Sequence, residues 1–125
     1  EYPLLGHIAA GKPIEVMDHR EVMALLPDAG DKDIFVLRVK GSSMIEDHIQ
    51  DGDYVIVERR SVAENGETVV ALIDNDRATL KRFYRENGRV RLQPAHPDMK
   101  PIFVHEGDFA IQGVVVGVLR KFGNR

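Results

Sequence analysis

Six short runs of Val, Ile, Leu and aromatic residues, each cut off by a Gly, Asn or Asp turn, confine this chain to an antiparallel β-fold. The runs cover residues 34–40, 53–58, 67–73, 78–84, 89–93 and 109–122. Between them stand Asp51-Gly52-Asp53, Asn65-Gly66, Asp74-Asn75-Asp76 and Asn87-Gly88, residue types that accept the backbone angles of tight turns. Strands this short and this closely spaced predict a mainly β domain: a compact sandwich or partly open barrel with one or two short helical turns. A length of 125 residues suits a single core of that kind.

The sharpest hairpin spans residues 80–93, where Asn87-Gly88 can supply the positive φ angles of a two-residue turn. It gathers Arg82, Arg85, Arg89 and Arg91 on one element. The charge along the chain is uneven: residues 1–76 hold 7 basic and 16 acidic side chains, residues 77–125 hold 10 and 4. A nucleic-acid surface on the hairpin is one reading, and a solvated hairpin protected by charge is the other. The overall balance of −3 favours the second.

Helix is scarce. Residues 19–26 can make two turns between an Asp18 cap and Pro27, and Ser43 can cap a second short turn over residues 44–48. Residues 1–17, with Pro3, Gly6, Gly11 and Pro13, read as an arm. No apolar run approaches the ~20 residues of a membrane helix, and no signal-peptide pattern opens the sequence, so a cytoplasmic protein without membrane contact is expected.

The chain has no cysteine, which removes disulfides, thiolate metal sites and a cysteine nucleophile together. Its histidines, at 7, 19, 48, 96 and 105, share no metal-ligand spacing, so neither metal nor other cofactor is expected. A nucleophile would have to be a hydroxyl. Ser42 and Ser43 follow a strand through Gly41 and precede a turn whose free backbone N–H groups could hold an oxyanion, although simple capping explains the same pattern. Without a positioned His the base would be a neutral Lys. Alternation places Thr79, Lys81 and Phe83 on one strand face, so Lys81 is either buried beside Phe83 or on the solvent side.

Linked motifs then give the sequence a likeness. Ala9-Ala10-Gly11, Gly41-Ser-Ser-Met44, Asp51-Gly52-Asp53, Asn65-Gly-Glu-Thr-Val-Val-Ala71, Thr79-Leu-Lys-Arg82, Leu92-Gln-Pro94, Lys100-Pro-Ile102 and Gly113-Val-Val-Val-Gly-Val118 occur in order over nearly the whole chain. Together they resemble the LexA-type family of self-cleaving repressors. The resemblance implies a fold of the LexA/signal-peptidase type and a serine-lysine peptidase that cuts its own chain. It makes Ser43 the nucleophile, Lys81 the general base, Ala10–Gly11 the scissile bond, and the backbone of Ser43 and Met44 the oxyanion donors. Residues 1–17 become the cleavage-site arm and 18–125 the catalytic and dimerisation domain. A homodimer is implied, as is stimulation by the RecA filament on single-stranded DNA. The operator-binding winged helix-turn-helix of such repressors is expected to lie outside this chain. Phage CI-type repressors and UmuD-like polymerase subunits share the core and stand as alternatives, as does a non-enzymatic dimerisation module with the same fold.

A lysine with its ordinary pKa of ~10.4 is almost never neutral at about pH 7. The implied mechanism therefore demands that Lys81 be taken out of water, and the same-face Phe83 and the cleavage segment itself are expected to do it.

Overall fold

A computed structural model describes residues 33–74 and 77–122. The arm, Ala10 and Gly11 and the helix expected over 19–26 lie outside them. Seven strands appear among the described residues: β1 (Ile34–Arg38), β2 (Tyr54–Arg59), β3 (Thr68–Ile73), β4 (Arg77–Glu86), β5 (Arg89–Gln93), β6 (Ile102–Val104) and β7 (Phe109–Leu119). They form one antiparallel sheet in the order β1-β2-β7-β3-β4-β5-β6, which does not close. Two single 3-10 turns, Ile45–Asp47 and Glu106–Asp108, are the described helical pieces.

The expected strands are present with ends shifted by a residue or a few. Asn87 and Gly88 take φ of 49° and 80°, and Glu86 pairs with Arg89 across them, so the two-residue turn forms as expected. β6 is an addition. Three residues after Pro101 are too few to show a period, and their strand geometry comes from β5, where Leu92 faces Ile102 and Val90 faces Val104. A second difference concerns the turn after β1. It is capped by Met44 and no side chain bonds its end, so Ser43 is not a helix cap and its hydroxyl is left for another partner.

Two apolar clusters fill the two sides of the sheet. On β3, Val70 joins Phe35, Leu37, Met44, Val55 and Leu80, whereas Val69, Ala71 and Ile73 join Phe83, Val90, Leu92 and Ile111. Burying both faces of a strand explains why 69–73 is continuously apolar instead of alternating.

β7 crosses between β2 and β3 and deviates in register against both, near Ile56/Val57 and Val70/Ala71. Gly113 sits at this crossing. A Cβ there would stand 2.5 Å from Val57 Cγ1 and 2.6 Å from the Glu58 carbonyl oxygen, so only hydrogen fits. Gly113 and Val114 are thus paired on both sides, while Phe109–Ile111 pair with β3 alone and residues 115–119 with β2 alone. The second half therefore has one unpaired side among the described strands, and there Val116 and Val118 are 40% and 44% exposed. Beyond it Arg120 closes the fold, its Nε donating to the buried Asp53 carboxylate at 2.7 Å while Gln50 N–H donates to the other oxygen at 2.8 Å.

Candidate active site

The chain leaves β1 through Val39 and turns at Gly41, whose φ of 96° is the left-handed region that glycine enters freely. Gly41 N–H donates to the Asp51 carboxylate at 2.7 Å, which fixes the departure angle. Met44 then inserts into the first apolar cluster at 1% exposure, leaving the adjacent Ser43 only partly covered. Two backbone bonds seat this turn on the segment leaving β5: Ala95 N–H donates to the Ser43 carbonyl at 2.7 Å, and Glu46 N–H to the Ala95 carbonyl at 2.8 Å.

β4 supplies the other half of the site. Lys81 is 7% exposed and stands opposite Val69, on the face that carries Phe83. Of the two placements that alternation allowed, burial is the one adopted. The amine donates to the Thr79 hydroxyl at 2.7 Å and to the Leu80 carbonyl at 3.1 Å, and lies 3.2 Å from Ser43 Oγ. Burial lowers its pKa from 10.5 to about 8, because an ammonium inside a β-core loses hydration that no carboxylate among the described residues replaces.

The three partners have a chemical meaning. A neutral amine has two hydrogens and one lone pair. The Leu80 carbonyl can only accept, and the Thr79 hydroxyl can accept the second hydrogen, which directs the lone pair at the Ser43 hydroxyl. The N–H groups of Ser43 and Met44 donate to no group among the described residues, so both remain able to hold an oxyanion. The hydroxyl and amine open into a cleft of about 490 Å³, bounded by Lys40, Gly41, Pro94, Met99, Lys100 and Ile102.

Other sequence expectations fall elsewhere. The hairpin arginines are largely engaged with acids: Arg82 with Asp47 at 2.6 Å, Arg85 with Glu106 at 2.6 Å, and Arg91 with Glu86 at 2.8 Å. Arg89 stacks on Phe103 with its guanidinium carbon 4.0 Å from the ring centre. This is the solvated, charge-protected hairpin and not a free cationic surface. No cluster of three His, Asp or Glu side chains suited to a metal occurs among the described residues. Thr79 was legible only as a same-face neighbour of Lys81, and its role follows from the 2.7 Å contact. The Asp47–Arg82 pair joins residues 35 apart in sequence and left no local signal.

Comparison with known proteins identifies the family. Residues 3–116 match the family described as Peptidase S24-like. The LexA repressor of Koribacter versatilis is 53% identical over 120 residues, covering 96% of this chain and 57% of the relative. That of Syntrophotalea carbinolica is 53% identical over 122 residues, covering 96% and 60%. The LexA repressor of Bacillus subtilis is 44% identical over 121 residues, covering 94% and 58%. The chain therefore spans well under two thirds of the length of these relatives. On the match over residues 3–116, the chain belongs to the Peptidase S24-like family.

Proposed function

We propose that this chain is the self-cleaving and dimerising part of a LexA-type transcriptional repressor, and that it hydrolyses its own Ala10–Gly11 bond. The observation that carries this reading is the buried Lys81 amine 3.2 Å from Ser43 Oγ. A module kept only for its fold has no use for a lysine held at the cost of desolvation.

The chemistry follows from the atoms in place. Ser43 Oγ attacks the Ala10 carbonyl carbon while its proton passes to Lys81 Nζ. The Ser43 and Met44 N–H groups receive the developing oxyanion. Collapse breaks the bond to Gly11, whose nitrogen takes the proton back from Nζ and leaves as a free amine. A water that gives its proton to Nζ then attacks the ester carbonyl carbon, and the C–Oγ bond breaks as Nζ returns that proton to Ser43 Oγ, releasing the Ala10 carboxylate and restoring the neutral lysine. With a pKa of about 8, roughly a tenth of the lysine is neutral at about pH 7, against less than 0.1% for an unperturbed side chain.

Tethering the bond to its nucleophile turns cleavage into a conformational event, and a partner that favours the docked arm accelerates it by shifting that population. The RecA filament on single-stranded DNA is the proposed partner. Cleavage would separate the dimerising part from the operator-binding part of the whole repressor and end repression during the SOS response to DNA damage. The protein is proposed to act in the cytoplasm; no described helix is long and apolar enough to cross a membrane.

Intact mass after incubation of the 125-residue chain at about pH 7 and about pH 10 tests the reading. The expected products are residues 1–10 and 11–125, forming faster at the higher pH. Ser43→Ala and Lys81→Ala should form neither. Cleavage that persists in either variant, or a rate flat across this range, refutes it.

A further inference from the structure

The turn that presents Ser43 is short, and its buried anchors are Met44 and Ile49. Its own bonds are those of a single 3-10 turn and its ends: Ile45 N–H to the Ser42 carbonyl at 3.1 Å, Asp47 N–H to the Met44 carbonyl at 3.0 Å, His48 N–H to the Ile45 carbonyl at 3.0 Å and Ile49 N–H to the Met44 carbonyl at 3.3 Å. The hydrogen bonds of a 3-10 turn are poorer in geometry than those of an α-helix, so its exact placement depends on what it is fastened to. It ends at His48 in the left-handed region at φ 65°, which is costly for a side-chain-bearing residue. Ala95 fixes its backbone to the exit of β5, a different segment from the strand that carries Lys81.

Its hydrogen bonds to β4 among the described residues come from two consecutive side chains. Lys81 meets Ser43. Arg82 grips Asp47 in a two-point fork, Nη2 to Oδ1 at 2.6 Å and Nε to Oδ2 at 3.0 Å. Consecutive strand residues point to opposite faces, so the turn is held from both sides of β4. The place is free to be gripped because β5 ends at Gln93, opposite Arg82, and leaves residues 77–81 without a β5 neighbour. A planar guanidinium on a carboxylate sets distance and angle together, which a single-point contact does not. The Tyr84 hydroxyl and the Asp47 carboxylate both favour the charged form of Arg82, so the fork persists at alkaline pH.

We propose that Asp47 and Arg82 are positioning residues that clamp the Ser43 turn onto β4 and set the separation of Ser43 Oγ from Lys81 Nζ, a role that rests on Ser43 and Lys81 being the reacting pair. Because a misplacement of about 1 Å at a reacting centre can cost as much as a hundredfold in rate, loss of the clamp is felt in chemistry well before it is felt in folding.

Two measurements test it. The first is self-cleavage at about pH 10, where Lys81 is neutral, in Asp47→Ala, Arg82→Ala and the double variant, each with its folded fraction confirmed by thermal unfolding. Each single variant should lose about tenfold, the double variant should lose the same tenfold and not a hundredfold, and Asp47→Asn, which keeps one acceptor, should recover part of the rate. Additive losses, or single losses below about twofold, overturn the clamp. The second measurement needs no peptidase activity. The chain has no cysteine, so Ser43→Cys introduces a single thiol. Its pKa, read from alkylation rate against pH, is depressed while Lys81 stays beside it and should rise towards ~8.5 when Asp47→Ala is added. An unchanged thiol pKa overturns the clamp. Cleavage surviving in Ser43→Ala would instead condemn the nucleophile assignment, leaving the thiol measurement to judge the clamp.

Discussion

Replacing Lys81 by methionine should make the domain more stable at neutral pH while abolishing cleavage, an outcome opposite to that of most core substitutions. The amine is 7% exposed and its pKa falls from 10.5 to about 8 on folding. The unfolded chain therefore binds more protons than the folded one between these values, and stability rises with pH across that window. Below about pH 8 the full penalty of about 3 kcal/mol applies, and above about pH 10.5 it is gone. Methionine escapes the penalty at every pH but deprives the Thr79 hydroxyl and the Leu80 carbonyl of a donor, a loss of about 1 kcal/mol. The net expectation is a gain of about 2 kcal/mol at about pH 7, vanishing or slightly reversed at about pH 10. Urea unfolding of both proteins across this range, in a Ser43→Ala background that prevents cleavage, gives the difference directly and cancels every titration the two share. A difference independent of pH, or a loss of stability at neutral pH, would refute the argument that burial without a counter-charge depresses this lysine.

Gly113→Ala should destabilise by at least about 2 kcal/mol in thermal unfolding, because the new methyl meets Val57 Cγ1 at 2.5 Å and the Glu58 carbonyl oxygen at 2.6 Å; an unchanged midpoint would contradict the tight β2–β7 crossing. Asp53 is buried, and although burial alone would raise its carboxyl pKa, the Arg120 and Gln50 hydrogen bonds outweigh it and hold the value below 3.8. Its stabilising contribution is therefore present above that pH and lost as pH falls below it. Asp53→Asn should cost about 2 kcal/mol near pH 7 and flatten the acid limb of the stability curve, as followed by circular dichroism; an acid limb identical to that of the parent chain would contradict it. For the proposed dimer, light scattering should give about 28 kDa, twice 14.0 kDa, and Val116→Asp on the exposed second half of β7 should return the mass to that of one chain; a parent mass that stays at one chain would remove the interface.

Local chemistry determined a good deal of this protein. Runs of β-branched and aromatic residues place six of the seven described strands, Asn87-Gly88 determines its hairpin, and the period of two puts Thr79, Lys81 and Phe83 on one face. The linked motifs bring out Ser43 and Lys81 ahead of any structure. These features depend on neighbours within a few residues, which is the range over which backbone sterics and alternation act. Tertiary structure decided the rest. Alternation names the residues that share a face but not whether that face is covered, so the burial of Lys81 had to wait for Val69 on β3 and the cluster around Phe83. β7 looked like one apolar strand, and only the sheet pairing shows it running from β3 at its start, through a middle at Gly113 and Val114 flanked by both β2 and β3, to a second half paired with β2 alone. β6 exists because β5 lends it partners, and Asp47 meets Arg82 because β5 stops at Gln93. Such contacts depend on long loop closures and on the free energy of the whole sheet, quantities that no short window of sequence contains.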